Sequence, residues 1–339
     1  RWRMFRTRPR SPTTRRRTRV VGMLVLGCVG AILSAAAGAQ EAGRVHRLGV
    51  LALNPRSVDF VQTLVVPELE KWNYILGKNL EIDTRIGDAD QLPRLVQELL
   101  RERPEAILAI NSTAVAAVQA ATRTIPIIMF GGDPVAQGFA SNIARPEGNI
   151  TGITIAPKEL DTKRLDLLRE AVPAARRIAV LVHPTSVGLE ARKEEMRTAA
   201  KGAGVELAFV EGPDPPSYGP VLTAARGQGA QALAINADSR FNRDAALLAR
   251  LALDLGLPTV CEWGEMAREG CLIGYGPILA DLYRRTAYYA ARLFEGASPS
   301  QVPIEGPSRF SLVINLRTAR ALGITVSDTL LLQADDVVE

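Results

Sequence analysis

One pattern of short apolar runs occurs twice in this chain, in the same order, and that repetition constrains the fold more than any other feature. Arg47–Pro55 (RLGVLALNP) is answered by Arg177–Pro184 (RIAVLVHP), Ala106–Asn111 (AILAIN) by Ala232–Asn236 (ALAIN), and Ile125–Met129 (IPIIM) by Leu257–Cys261 (LPTVC). The offsets are 130, 126 and 132 residues (Arg47 to Arg177, Ala106 to Ala232, Pro126 to Pro258). Each run has the length and β-branched content of a strand buried on both faces. Three ordered matches predict two lobes of one topology.

Between the runs lie helical patterns. Leu92, Leu95, Val96, Leu99 and Leu100 recur at the spacing of one apolar helical face. Ser57–Leu76 and Thr113–Ala121 read as further helices, and Leu80–Ile86 and Val205–Val210 as the second strand of each lobe. Strands alternating with helices predict an α/β fold of doubly wound parallel sheets. Stretches near 151–156, 272–277 and 306–311 read as extended crossings from one lobe to the other, a three-strand hinge. The expected lobes are 40–152 with 276–308, and 153–275 with 309–339. A cleft between lobes hinged in this way is the natural ligand site.

Residues 1–39 read as an export leader rather than as fold. Arg1–Arg19 carries nine Arg and no acid, Val20–Leu33 is an apolar core too short to span a bilayer, and Ala37-Gly38-Ala39 is a small-x-small cleavage site. Acylation at Cys28 is the alternative. The basic balance belongs to this leader. The whole chain has 41 Lys+Arg against 36 Asp+Glu, and removing nine Arg leaves 32 against 36, a net charge of −4. Nucleic-acid binding rests on a basic field, which the remainder lacks. Two His in the whole sequence, His46 and His183, make no metal-ligand cluster, and no cofactor motif follows the first strand or its repeat. Cys261 and Cys271 stand ten positions apart; in an exported protein they could pair, or Cys261 could be a small buried residue.

Several stretches match a known family: Gly132-Asp133-Pro134-Val135, Ile143–Gly152 (IARPEGNITG), Lys163-Arg164-Leu165, Tyr275-Gly276-Pro277 through Asp281–Arg285 (DLYRR), and Leu312–Leu316 (LVINL). In these the chain resembles the ABC-transporter substrate-binding family whose members bind tryptophan or tyrosine, two-lobed periplasmic binding proteins of type I. It departs at His183-Pro184, where Asn-Pro is more usual, and in Glu262-Trp263 with the two cysteines. The resemblance implies a monomeric, non-enzymatic periplasmic protein. It would capture a small amino-acid-like solute, pass it to an ABC permease in the inner membrane, and use no cofactor.

The candidate site residues end strands or open helices at the expected cleft. Asn54 and Ser57 follow the first strand; Ser112 or Thr113 would cap the next helix and favour an anion such as an α-carboxylate. Asp133 could take a ligand ammonium. Asn236 and Asp238 occupy the mirror position of Asn111 and Thr113, and Glu262 and Trp263 follow the strand that mirrors Phe130. Tyr275 lies in a crossing and could face the cleft or pack the hinge. An exported enzyme using Asp133, Asp238 or Glu262 as acid or base, or a ligand-sensing protein, are the alternatives on the same architecture.

Overall fold

The computed structural model describes residues 43–155 and 159–339; the expected leader, residues 1–39, lies outside them. His46–Glu339 forms one unit, to which everything below refers. Its first sheet contains β1 (His46–Ala52), β2 (Leu80–Ile86), β3 (Ala106–Ile110), β4 (Ile127–Gly131) and β5 (Ile150–Thr154), all parallel, in the order β2-β1-β3-β4-β5. The second contains β6 (Arg177–Val182), β7 (Glu206–Glu211), β8 (Ala232–Ile235), β9 (Thr259–Cys261), β10 (Ile273–Pro277), β11 (Phe310–Asn315) and β12 (Asp336–Val338). Its order, β12-β11-β10-β9-β8-β6-β7, contains β7-β6-β8-β9, the same arrangement as β2-β1-β3-β4. The repeated runs thus build two α/β lobes of like topology.

Strand residues alternate between two cores. Leu48, Val50 and Ala52 pack with Leu108, Ile110, Ile128 and Phe130 on one face of the first sheet. Leu51, Ile107 and Met129 pack on the other face with Leu92, Leu95, Val96 and Leu99 of the helix Leu92–Arg101. Burial on both faces is why these runs are continuously apolar rather than alternating.

Two local expectations are revised. The helix expected at Ser57–Leu76 runs over Pro55–Lys71 and is irregular: Pro55–Phe60 passes through a π-helical turn, Val61–Val65, into Val66–Lys71. Pro67 cannot donate a backbone hydrogen bond, and Asn73 at φ 64° takes the left-handed conformation that stops a helix. In the second sheet β11 runs antiparallel to β10, because the chain returns from the first lobe beside Pro277, pairing Phe310 with it.

The crossings lie side by side. Thr154 N–H donates to the Glu305 carbonyl (2.9 Å), Glu305 N–H to that of Gly152 (3.0 Å), and Ile278 N–H to that of Arg309 (3.2 Å). After β10 the helix Leu279–Phe294 packs on β3, β4 and β5, so it belongs with the first sheet. Two crossing glycines are sterically required. A Cβ on Gly152 (φ 128°) would sit 2.3 Å from the Met129 carbonyl oxygen, and one on Gly276 1.9 Å from that of Glu262.

Candidate functional site

The carboxyl ends of the strands in both lobes converge on a cavity of about 130 Å³. From the first lobe come Ser57, Phe60, Asn111, Ser112, Phe130–Asp133 and Gln137; from the second, Ser186–Leu189, Arg192, Glu195, Asn236–Ser239, Asn242 and Trp263. Ile155, Leu279 and Tyr283, next to the crossings, close the hinge side. This placement is the one open α/β sheets favour for ligands.

One wall is aromatic. Tyr283 packs against Phe130 (ring centroids 4.5 Å apart) and Phe60 (5.0 Å). Burial pushes the Tyr283 hydroxyl well above its ordinary pKa, against a weaker opposing effect of its hydrogen bond with Ser57, so it stays a neutral phenol. Trp263, 3 % exposed, adds a second aromatic surface from the other lobe.

The mouth is bridged by direct hydrogen bonds between lobes. Asn54 Nδ2 donates to the Ser239 carbonyl (3.1 Å), Gln137 Nε2 to that of Val187 (3.1 Å), and Arg56 Nη1 to that of Asn242 (3.0 Å). Arg56 also forms an ion pair with Glu269 at 2.5 Å. Asn54 is therefore a strut: its Oδ1 accepts from Ser57 N–H, capping the first helix, and it lies outside the cavity lining.

The helix after β3 begins one residue earlier than the Ser112 or Thr113 cap expected from sequence. Asn111, held at φ 90°, is the cap, and its Oδ1 accepts from Thr113 N–H (2.8 Å). Ser112 lines the cavity, but its hydroxyl accepts from Gly132 N–H (2.9 Å) and donates to Gln137 Oε1 (2.8 Å). Thr113 does not reach the lining. Asp133 does; its Oδ1 accepts from Val135 and Ala136 N–H in a tight turn set by Pro134.

In the second lobe Asn236 and Asp238 both line the cavity. Asp238 is already satisfied within the protein. Its Oδ1 accepts from Arg240 N–H (2.9 Å) and Nε (2.8 Å), its Oδ2 from Arg240 Nη2 (2.7 Å) and Ser186 Oγ (3.1 Å). Burial pushes its pKa up, but the Arg240 hydrogen bonds and charge outweigh that and hold it below the ordinary carboxylate value.

Glu262 and Tyr275 lie elsewhere than the sequence suggested. Successive residues at a strand end face opposite sides. Trp263 faces the cavity, so Glu262 turns under the second sheet, where Arg164 (3.1 Å) and Arg192 (3.3 Å) pair with it. Asp161 completes this buried group, 2.8 Å from Arg192 and 3.3 Å from Arg164. Burial pushes the Asp161 carboxyl up to about 6; Arg192 opposes that, Glu262 adds to it, and Arg164 opposes it. Tyr275 packs in the hinge, its ring stacked on Phe310 (6.4 Å) and its carbonyl accepting from Arg164 Nε (2.8 Å).

Cys261 and Cys271 form a disulfide that spans the segment carrying Glu262 and Trp263. Among the described residues no group of His, Cys, Asp and Glu is placed to hold a metal ion, and no helix is long and apolar enough to cross a membrane.

Residues 59–338 match the family model described as ABC transporter substrate binding protein. The chain belongs to that family. This substrate-binding protein is 23 % identical over 269 residues to a tyrosine-binding protein of Clostridioides difficile (strain R20291), covering 78 % of this chain and 77 % of that one. Two solved structures, each 21 % identical and covering 87 % of this chain and all of theirs, have the same fold. One is a conserved domain protein from Vibrio cholerae (TM-score 0.81), the other an ABC domain from Streptococcus pneumonia in complex with L-Trp (TM-score 0.80).

Phe60, Ser186, Arg192 and Tyr283 are among the lining residues of this substrate-binding protein that escaped the sequence reading. For Ser186 a signal existed. Asn54-Pro-Arg-Ser57 and His183-Pro-Thr-Ser186 are in register within the repeat, and both serines line the cavity. Arg192 lies on Leu189–Ala203, a helix with a mostly solvated face and no special motif.

Proposed function

We propose that this protein is the solute-capturing component of an ABC importer and that its solute is an amino acid with a planar, aromatic side chain. The observation that carries the reading is the cavity itself: set between two lobes, aromatic along Phe60, Phe130 and Tyr283, and bearing charges of both signs elsewhere. A flat apolar side chain would lie against the aromatic wall. A zwitterion's ammonium would find Asp133 in the cavity lining; Asp238 is already engaged by Arg240. The tyrosine-binding relative and the neighbour solved with L-Trp support the same solute class.

In this reading the lobes, 40–152 with 276–308 and 153–275 with 309–339, open and close about the three crossings. The Asn54, Arg56 and Gln137 bridges form on closure. The protein works as a monomer in the periplasm after loss of its leader, hands the closed form to an inner-membrane permease, and releases its solute chemically unchanged. Nucleic acid, metal and enzymatic turnover have no part in it. Calorimetry with a panel of free amino acids tests the reading. Saturable 1:1 binding of tyrosine or tryptophan in preference to alanine and leucine is expected; binding of none of them, or chemical conversion of the ligand, refutes it.

A further inference from the structure

We propose that Arg192 is the residue that takes the solute's carboxylate, and that Asp161 and Glu262 beneath it hold the guanidinium in position. The inference rests on the amino-acid reading and adds where the acid end of the solute sits. Among the described residues lining the cavity, Arg192 is the one cation, against Asp133, Glu195 and Asp238. A carboxylate entering the cavity finds its lining counter-charge at that side chain.

The guanidinium is fixed rather than free. Its Nη2 donates to Asp161 Oδ1 (2.8 Å) and to Glu262 Oε1 (3.3 Å), and the side chain is only 16 % exposed. Arg164 braces the same two acids and donates from Nη2 to the Glu262 carbonyl (3.3 Å). With Arg192 Nη2 engaged by both acids, Nε and Nη1 remain as single charged donors for an anion. Arg192 Nε is buried without a hydrogen-bond partner, as is Asn242 Nδ2 on a second lining residue. Unmade donors at a buried site are costly. An anion in the cavity within reach of either donor would satisfy it.

The competing anion site, the start of the helix Ser112–Ala121, is partly occupied. Its Thr113 N–H is taken by Asn111, and the Ser112 hydroxyl by Gly132 and Gln137. With burial weighed against Asp161 and Glu262, the net effect holds the Arg192 pKa above its ordinary value, so the cation persists at any working pH.

The test compares L-tyrosine and L-tryptophan with tyramine and tryptamine, which lack only the carboxylate, by calorimetry on wild type, Arg192→Gln and Arg192→Lys. Wild type is expected to prefer the amino acids by about 30-fold or more, the range of a charge-assisted contact. Arg192→Gln should weaken amino-acid binding by a similar factor while amine affinity stays within about 3-fold, collapsing the preference. Because glutamine leaves Asp161 and Glu262 short of a counter-charge, Arg192→Lys is the folded control. It keeps the charge but not the planar set of donors, and should lose about 5-fold or more for the amino acids alone. A wild type that binds the amines as tightly as the amino acids overturns the proposal, as does a preference that survives unchanged in both variants. A wild type that binds none of the four ligands refutes the amino-acid reading itself, which is a separate result.

Discussion

Asp238 lines the cavity, yet the structure assigns its carboxylate to the fold, and the substitution Asp238→Ala separates the two roles. Four hydrogen bonds at 2.7–3.1 Å, three of them from Arg240, would disappear together. The Arg240 side chain is 8 % exposed, so it would be left as a buried cation whose one remaining side-chain bond is to Thr185 Oγ1 (3.2 Å). Breaking a buried ion pair from one side costs about 3–5 kcal/mol. At about 2–4 °C per kcal/mol, the melting temperature should fall by roughly 6–20 °C. Asp238→Leu combined with Arg240→Met, which removes both charges, should recover most of that loss. The pKa direction adds a second signature. A carboxyl held below its unfolded value contributes stability above that value, and the contribution is lost as pH falls through the folded one. Acid unfolding of wild type should therefore be steeper below about pH 4 than that of the double variant. Urea denaturation of the three proteins across pH 3–7 decides it. A loss under about 1 kcal/mol in Asp238→Ala, or no rescue in the double variant, would refute the assignment.

Asp161 behaves in the opposite sense. Its folded pKa, raised to about 6 from an ordinary 3.8, means the native state binds the extra proton between those values. Its contribution to stability therefore falls as pH rises from about 4 to about 6, and Asp161→Asn should flatten that part of the stability profile in urea titrations. An unchanged profile would place the titration elsewhere. Replacing Cys261 and Cys271 by Ser opens a closed loop of about ten residues, which should cost about 2.5–3 kcal/mol of stability by denaturant titration; equal stability with and without reductant would contradict the pairing. Gly276→Ala forces a Cβ to within 1.9 Å of the Glu262 carbonyl oxygen, so thermal melting should show a large loss or no folded protein, whereas alanine at the open Gly202 should be tolerated.

Much of this fold was legible because the repeat is written in strands buried on both faces, where apolar composition and length leave little freedom. The antiparallel β11 and the three-residue β12 were not, since their direction and pairing depend on where the chain re-enters the second lobe. The site was legible only by position. Strand ends located Asp133, Asn236 and Asp238 at the cavity, but sequence cannot tell that Asp238 is consumed by a neighbour two residues on. Glu262 illustrates the period-2 problem: one residue separates a cavity wall, Trp263, from a buried ion cluster. Tyr283 and Arg192 reach the cavity from helix faces whose orientation is set by tertiary packing alone.

Whether an aromatic amino acid occupies the cavity between the lobes is decided by a crystal structure of the protein grown with L-tryptophan. One molecule is expected in the cavity, its ring against Phe60, Phe130 and Tyr283 and its ammonium at Asp133. A cavity that holds only water at saturating ligand, or a ring bound outside it, would contradict the account.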